Sequence, residues 1–180
     1  MKVLYAPNYE VKEESVVAFG KFDGVHKGHV KLINTLVEQA QLENRKSIIY
    51  TFQNHPKAVL EDIDFELLMD EKTKIDKLND LDVDIIIFEK FDKNFANITA
   101  EEFVKNILIE KLNAKKIVIG SNSTFGKNSE GNVKLLKTLS VKYNFEVIEV
   151  PLFMENGKIV SSSEIRKELA LRGGNDDEIF

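Results

Sequence analysis

Residues 16–33 decide the fold, and they read VVAFGKFDGVHKGHVKLI. The first four residues are apolar and rich in β-branched side chains, as in a buried strand that ends at Gly20. After Gly28 the apolar residues recur at helical spacing. These residues are Val30, Ile33, Leu36, Val37 and Ala40. The stretch therefore predicts a strand, a glycine-rich turn and a helix, in that order.

The turn between this strand and this helix has features of a phosphate-binding site. A helix start presents unpaired N–H groups and the positive end of the helix dipole, which attract phosphate. Gly20, Gly24 and Gly28 let the backbone approach a ligand closely, and His26 and His29 lie at the helix start. We therefore predict phosphate chemistry at this turn.

Two common phosphate-binding motifs do not match. The spacing of the three turn glycines differs from G-x-G-x-x-G. The segment from Gly120 to Lys127 is too long for a Walker A loop, and Asn128 stands where Ser or Thr is required. The prediction therefore depends on the string His26-Lys27-Gly28-His29.

That string resembles the H-x-G-H signature of the nucleotidyltransferase superfamily. Residues 20–29, GKFDGVHKGH, resemble the FMN adenylyltransferase module of the bacterial bifunctional riboflavin kinase/FAD synthetases. The resemblance extends over roughly residues 16–171. It implies transfer of AMP from ATP to FMN, giving FAD and pyrophosphate, with Mg²⁺ accompanying ATP. It also implies a Rossmann-like nucleotidyltransferase fold.

The order of predicted elements agrees with a doubly wound α/β fold around a parallel sheet. Apolar runs predict strands over residues 16–19, 47–52, 84–88, 116–120 and 145–150. Helices are predicted over residues 28–44, 99–112, 132–143 and 161–171, and in the second half of 62–80. Residues 1–6 and 158–160 are predicted to be short extended pieces. Strands that are apolar on both faces favour a parallel sheet covered by helices, with ligands beyond the strands' carboxyl ends.

Length and composition indicate a single globular domain. Of the 180 residues, 43% are hydrophobic and 31% charged, with a net charge of −5. No cysteine is present, so disulfides and thiolate metal sites are excluded. We expect a domain over 1–172, an acidic tail over 173–180, and no membrane or nucleic-acid partner. A cytoplasmic location is the default expectation, and the oligomeric state is left open.

Residues 52–56, FQNHP, resemble the family's F-x-x-H-P segment. The resemblance implies that Phe52, Asn54, His55 and Pro56 contact FMN. A plain strand-terminating turn is an equally good interpretation, because Asn and Pro are common in turns.

Residues 120–126, GSNSTFG, resemble a family loop that has an acid or Asn two residues after the first glycine. The resemblance implies ATP contacts from Asn122, Phe125 and Gly126. Ser123 and Thr124 are smaller than the residues often found there. A polar surface loop is the alternative.

Residues 161–166, SSSEIR, resemble the family's S-S-T-x-I-R, with Ser163 in place of Thr. The resemblance implies that Ser162, Ser163 and Arg166 hold the β- and γ-phosphates of ATP. A serine N-cap followed by a solvated arginine is the alternative interpretation.

The expected catalytic residues are His26, His29 and Arg166, with both histidines donating hydrogen bonds to α- and β-phosphate oxygens. A helix-start histidine that faces a ligand is expected to fill no core volume. Further ATP contacts are expected from the turn, at Gly20, Phe22, Asp23, Gly24 and Gly28. No metal site on the protein is expected, although His26, His29 and His55 could form a three-histidine centre.

Other functions stay open at this point. A nucleotidyltransferase of the same fold could use nicotinate mononucleotide or phosphopantetheine as acceptor. A non-catalytic flavin- or nucleotide-binding module is the alternative from another class. The family usually carries a riboflavin kinase domain after this module, and residues 1–180 contain no such domain.

Overall fold

A computed structural model describes residues 1–172, so the predicted tail over 173–180 lies outside the described residues. The described chain forms a six-stranded sheet in which every neighbouring pair is parallel. Its strands are β1 (Lys2–Tyr5), β2 (Ser15–Phe19), β3 (Lys46–Phe52), β4 (Ile85–Glu89), β5 (Ala114–Gly120) and β6 (Glu146–Val150). The order across the sheet is β1-β4-β3-β2-β5-β6. The predicted doubly wound α/β fold is confirmed.

Seven α-helices are present in the described residues. They are α1 (Lys27–Leu42), α2 (Pro56–Leu60), α3 (Glu71–Asn79), α4 (Lys93–Ala96), α5 (Ala100–Glu102), α6 (Val133–Tyr143) and α7 (Ser162–Arg172). A π-helical segment, Phe103–Lys111, continues from α5, and a 3₁₀ turn covers Lys127–Ser129. Strands β7 (Met154–Glu155) and β8 (Lys158–Ile159) pair as a separate antiparallel hairpin. No helix in this part of the chain is long and apolar enough to cross a membrane.

Three helical segments differ from the sequence expectations. Helix α2 was not predicted, because Pro56 was interpreted as a strand breaker. In the structure Pro56 is the first residue of a helix capped by His55, a position that proline favours. Helix α4, capped by Asp92, was also missed. The helix predicted over 99–112 is π-helical from Phe103, which apolar spacing cannot distinguish from an α-helix.

Each face of the sheet carries its own apolar core. Val17 points to the side covered by the π-helical segment and α6. Val16 and Ala18 point to the opposite side, which α1 and α3 cover. Side chains alternate between faces along a strand, so β2 buries all of its central residues. This is why residues 16–19 read as a continuous apolar run.

The strand order places a topological switch point at β2. From β2 the chain adds β3 and then β4 on one side, and later returns to place β5 on the other. In such sheets a crevice opens beyond the carboxyl ends of the two strands at the switch point, here β2 and β5. The turn after β2, the segment after β3 and the loop after β5 therefore share one edge of the sheet.

Candidate functional site

The turn after β2 has an unusual backbone conformation. Phe22 and Val25 have φ angles of 46° and 37°, a left-handed region that side chains other than glycine rarely adopt. The Lys21 carbonyl accepts hydrogen bonds from Thr51 Oγ1 and from Lys74 Nζ, each at 3.0 Å. Backbone strain persists only where surrounding contacts hold it, and such strain is concentrated at functional sites. The turn is therefore a strained segment held by side chains from β3 and α3.

His26 closes the start of α1. It is 7% exposed, and its Nδ1 accepts a hydrogen bond from the His29 backbone N–H at 3.4 Å. With Nδ1 acting as acceptor, a neutral His26 carries its proton on Nε2, which can then donate to a ligand. Helix α1 has no acidic residue in its first turn, and the carboxylate acting on its capping residue is that of Asp23, which is paired with Arg166. A helix start without acid in its first turn favours an anion, and phosphate binding here stays a prediction.

His29 packs closely against its neighbours. Its ring stacks on the His26 ring with centroids 3.8 Å apart, and the Phe22 ring lies 5.2 Å away. Its Nδ1 is buried and has no hydrogen-bond partner among residues 1–172. The expectation that His29 fills no core volume is therefore wrong. The turn folds back over the helix start and brings Phe22 against the His29 ring.

The two histidines are neutral at physiological pH. Burial lowers the pKa of His26 to about 4, although the nearby Asp23 charge opposes this shift. Burial lowers the pKa of His29 to about 3. Repulsion from the protonated form of His26 and from the charged Lys74 acts in the same direction. Neutral imidazoles at a helix start can donate hydrogen bonds to phosphate oxygens without a prior protonation step.

Asp23 connects the turn to α7. Its carboxylate accepts a hydrogen bond from the Leu68 backbone N–H at 2.9 Å and pairs with Nη2 of Arg166. Its carbonyl accepts a hydrogen bond from Ser162 Oγ at 2.7 Å. The expected ATP contact Asp23 is thus bound by two other expected site residues, Ser162 and Arg166. The structure brings the two motifs of the sequence into direct contact.

The three serines before Arg166 have different environments. Ser161 Oγ accepts a hydrogen bond from the Glu164 backbone N–H at 3.3 Å and so caps α7. Ser162 is held by the Asp23 carbonyl, and Ser163 is exposed. Of the two serines expected to contact phosphate, Ser163 is the one whose side chain is open to solvent.

Gly28 permits a close approach of two parts of the site. A methyl group at Gly28 would lie 3.1 Å from the His26 ring and 3.5 Å from the Val160 carbonyl oxygen. Val160 directly precedes the serine segment that opens α7. The contact with the Val160 oxygen would be ordinary, whereas that with the His26 ring would be tight, so the absence of a side chain at Gly28 leaves room for the His26 ring.

His55 lies at the start of α2 and is also buried. Its Nδ1 accepts a hydrogen bond from the Lys57 backbone N–H at 3.1 Å. Its ring stacks on Phe65 with centroids 3.9 Å apart, and the Arg166 guanidinium lies 4.6 Å from the same Phe65 ring. Burial lowers the pKa of His55 to about 4, and the Lys21 charge contributes. Phe65 therefore joins the expected flavin side to the expected phosphate side.

Positive charge exceeds negative charge around Asp23. Lys21, Lys57 and Arg166 all act electrostatically on His55, and Lys74 acts on His29. Burial lowers the pKa of Lys74. Burial also lowers the pKa of Lys21, and the positive charge of Arg166 lowers it as well. Asp23 is the one carboxylate among the groups that shift the pKa of His55. A surplus of cations beside a helix start suits a polyphosphate.

The other expected flavin contacts have partners within the protein. The Phe52 ring packs edge-to-face with Phe91 and Phe95, with centroids 5.3 and 5.5 Å apart. The Asn54 side chain exchanges two hydrogen bonds with the Phe91 backbone, at 2.8 and 3.0 Å. Pro56 is the first residue of α2. These side chains shape the region beside His55, and their contact with flavin stays a prediction.

The loop after β5 divides into an exposed part and a packed part. Asn122 is exposed, whereas Phe125 is 8% exposed and packs edge-to-face against Phe19 with centroids 5.3 Å apart. Gly126 has a φ of 73°, and a methyl group there would lie 2.6 Å from the Ala100 Cα. The polar surface-loop interpretation holds for Asn122 but fails for Phe125, because this ring joins the aromatic core beside β2.

Metal binding by protein side chains has no support in the described residues. Within residues 1–172, no three or more His, Asp or Glu side chains are grouped so that they could hold a metal ion. The Nδ1 atoms of His26 and His55 accept backbone hydrogen bonds instead.

Sequence reasoning missed several residues that support the site. They are Thr51, Phe65, Glu66, Leu68 and Lys74. Only Lys74 had a sequence signal. It lies four residues before Leu78 in a predicted helix, and this spacing puts both side chains on the inward face.

The comparison with family models decides the family of this protein. The FAD synthetase model matches residues 8–164. The chain belongs to the FAD synthetase family. The resemblance carried by residues 20–29 is thereby confirmed.

The names of relatives of this FAD synthetase family member agree with the family assignment. The bifunctional riboflavin kinase/FMN adenylyltransferase of Buchnera aphidicola subsp. Schizaphis graminum (strain Sg) is 38% identical over 160 residues, 88% of this chain and 51% of that protein. The FAD synthetase of Listeria monocytogenes serovar 1/2a is 36% identical over 166 residues, covering 91% of this chain and 66% of that protein. The chain spans about half the length of the first of these relatives.

Solved structures support the fold. A Streptococcus pneumoniae structure named macrolide-efflux protein has a TM-score of 0.85 at 29% identity, over 94% of this chain and 56% of that one. The pantoate-β-alanine ligase of Francisella tularensis, solved with an ATP compound and β-alanine, has a TM-score of 0.58 at 18% identity. It covers 94% of this chain and 77% of that one, and at this identity the likeness shows the fold alone.

Proposed function

We propose that this chain transfers AMP from ATP to the phosphate of FMN, forming FAD and pyrophosphate. The observation that carries the proposal is the contact between Asp23 and α7, because it joins the His26–His29 helix start to Ser162 and Arg166. The name of the FAD synthetase family supports FAD as the product, and the name FMN adenylyltransferase of a relative supports FMN as the acceptor.

The reaction needs alignment more than it needs a base. An FMN phosphate oxygen attacks the α-phosphorus of ATP, a new P–O bond forms, and the bond to the β-phosphate oxygen breaks. The nucleophile is already an anion, so no proton has to be removed from it. Catalysis then depends on holding the two phosphates in line and on stabilising charge on the leaving pyrophosphate.

His26 and His29 suit the second task. Their rings are stacked at the start of α1, and both are neutral because burial lowers their pKa values. In the proposal they donate hydrogen bonds to α- and β-phosphate oxygens, together with the free N–H groups of the helix start.

Arg166 has donors left for phosphate. Its contacts with the Asp23 carboxylate and with the Glu66 carbonyl both use Nη2. A guanidinium has five N–H donors in a planar fork, so Nη1 and Nε remain for oxygens of the β- and γ-phosphates. In the proposal Asp23 orients Arg166, and Ser163 adds a hydroxyl at the same helix start.

The remaining substrate contacts are extensions of this proposal. Asn122, exposed in the loop after β5, is assigned to the nucleoside part of ATP, and the region beside His55 to FMN. Mg²⁺ is expected to arrive with the ATP phosphates, because the carboxylate of Asp23 is already bound by Arg166 and Leu68. A cytoplasmic location is part of the proposal, and cell fractionation tests it.

The deciding experiment supplies MgATP with FMN, nicotinate mononucleotide or phosphopantetheine in separate reactions and analyses the products by chromatography. Formation of FAD and pyrophosphate in equal amounts from FMN alone supports the proposal. Product from another acceptor identifies a different nucleotidyltransferase. Tight binding of FMN or ATP by calorimetry without any product indicates a binding module. As a control, the variant Lys167→Ala, which changes an exposed residue beside Arg166, should form the same product as the wild-type chain.

A further inference from the structure

Lys74 is a buried lysine that the proposed reaction has not used. It lies on α3, where it and Leu78 are the two buried residues. The Lys74 side chain is 5% exposed, although neighbouring Lys72 on the same helix is exposed. Burying an ammonium group is costly, and a methionine would fill similar space without that cost. Packing alone therefore does not explain a charged residue at this position.

The contacts of Lys74 lead to the turn after β2. Its Nζ donates to the Lys21 carbonyl at 3.0 Å and lies 6.0 Å from the centre of the Phe88 ring. Among residues 1–172, no carboxylate forms an ion pair with it. The ammonium group donates to a backbone carbonyl, while the carboxylates of Asp23 and Glu71 act on its charge from a greater distance.

That carbonyl is held from two sides. Thr51 Oγ1, fully buried on β3, donates to the same Lys21 oxygen at 3.0 Å. The next residue, Phe22, has a φ of 46° and packs its ring against His29. A chain of contacts therefore runs from Lys74 through Lys21 and Phe22 to the His29 ring.

We propose that Lys74 is a positioning residue for nucleotidyl transfer. By holding the Lys21 carbonyl, it keeps the strained turn in the conformation that sets the His29 ring and the Asp23 carboxylate beside the phosphate site. The inference rests on the proposed function, and it assigns a role to a helix that carries none of the sequence motifs.

The test compares Lys74→Met, which removes the donor and the charge, with Lys74→Arg, which keeps both. Lys74→Met is expected to lower kcat for FAD formation roughly tenfold to a hundredfold, since small misplacements of reacting groups cost this much. KM for FMN should change little, and Lys74→Arg should recover part of the lost kcat. The melting temperature of Lys74→Met should change little, because removal of a buried charge offsets the loss of its hydrogen bond to Lys21 and of its attraction to Asp23 and Glu71.

Two further variants isolate the path through the carbonyl. Thr51→Val removes the other donor to Lys21 at almost constant volume, and Lys72→Met makes the same change as Lys74→Met on the exposed face of α3. The chain has only three histidines, so NMR can follow each imidazole. The His29 ring signals should shift in Lys74→Met and Thr51→Val and stay in place in Lys72→Met.

Two results would overturn the inference. One is a Lys74→Met protein with normal kcat and unmoved His29 signals. The other is a Lys74→Met chain that fails to fold while Thr51→Val folds with unmoved His29 signals, which makes Lys74 structural. If Lys74→Met fails to fold but Thr51→Val lowers kcat and shifts those signals, the inference stands.

Failure of the proposed function gives a different pattern. The wild-type chain would then form no FAD, and calorimetry with MgATP would replace kcat as the measurement. Weaker MgATP binding in Lys74→Met, with shifted His29 signals, would keep the positioning role. Unchanged MgATP binding would overturn it.

Discussion

Asp23 and Arg166 are separated by 143 positions in the sequence and form an ion pair in the structure. The Asp23 side chain is 3% exposed, and it shares its carboxylate between Arg166 and the Leu68 backbone. Removing one partner of a buried ion pair leaves an uncompensated charge, which costs far more than the pair contributes. The pair therefore links the stability of the fold to the position of the residue expected to hold ATP.

Arg166→Ala is expected to raise KM for ATP roughly tenfold to a hundredfold, because a charge-assisted phosphate contact is lost. It should also lower the free energy of unfolding by roughly 1–3 kcal/mol, because Asp23 loses its ion pair and keeps only the Leu68 N–H and the more distant charges of Lys21 and Lys74. Steady-state kinetics and urea unfolding measure the two effects. The double variant Asp23→Asn/Arg166→Ala should recover stability but not ATP use. Unchanged ATP kinetics in Arg166→Ala would place Arg166 outside the phosphate site.

His29→Ala is expected to lower kcat by roughly 10²–10³-fold, as for loss of a single donor to a developing anion. Because the His29 ring contacts His26 and Phe22, the variant should also be less stable than the wild type. Kinetics at saturating ATP and FMN, with thermal unfolding alongside, separate these effects. The control His29→Gln keeps a donor and more of the volume, so it should retain more activity. A His29→Ala protein with wild-type stability and wild-type kcat would contradict both the expected loss of stability and the expected loss of kcat.

Stability should fall as the pH is lowered from about 6.5 towards 4. The pKa values of His26 and His55 are about 4 and that of His29 about 3, all below the ordinary value for an unfolded chain. Over this range the unfolded chain binds protons that the folded protein does not, so acid favours unfolding. Urea unfolding at pH 7 and pH 5 measures the change. His26→Asn replaces the Nδ1 acceptor that caps α1 with an amide oxygen and should reduce the pH dependence. If His26→Asn loses as much stability between pH 7 and pH 5 as the wild type, the pH dependence comes from other groups.

Gly28→Ala is expected to lower kcat about tenfold with little loss of stability. The added methyl group would lie 3.1 Å from the His26 ring, so the ring has to move by a few tenths of an ångström. Gly157→Ala is the matched control, because it lies in a hairpin turn with open space around it. Its positive φ predicts a stability cost there without a change in kcat. Equal kcat losses in Gly28→Ala and Gly157→Ala would contradict the view that the loss comes from displacement of the His26 ring.

Phe125 and Asn122 lie three positions apart in the loop after β5, and they should respond differently to alanine. Phe125→Ala should destabilise the fold by roughly 3–5 kcal/mol, because its ring packs against Phe19 and Phe103. Asn122→Ala should leave stability unchanged, because Asn122 is exposed, and weaken ATP binding by calorimetry. A stable Phe125→Ala protein, or ATP binding unaffected by Asn122→Ala, would refute the corresponding part.

Sequence alone determined the fold class and the strand, turn and helix that form the proposed phosphate site. The uniformly apolar residues 16–19 predict a strand covered on both faces, which indicates parallel strands between helices, and Val16, Val17 and Ala18 are fully buried. His26, Gly28 and His29 define the start of α1 through local spacing and capping, which involve neighbours in the chain. Local periodicity could not show that the helix after Thr99 becomes π-helical, because both helix types bury Val104, Ile107 and Leu108.

Tertiary structure decided how the site is held together. The contacts of Asp23 with Arg166, of Lys21 with Lys74, and of Phe125 with Phe19 join segments that lie far apart in the chain. Whether a charged or aromatic side chain is a ligand contact, an anchor or part of the core depends on which surfaces meet when the sheet is assembled. That assembly is set by long-range packing, which no single segment encodes. The burial that keeps His29 neutral has the same origin, because it requires the turn, α1 and α3 to be in place together.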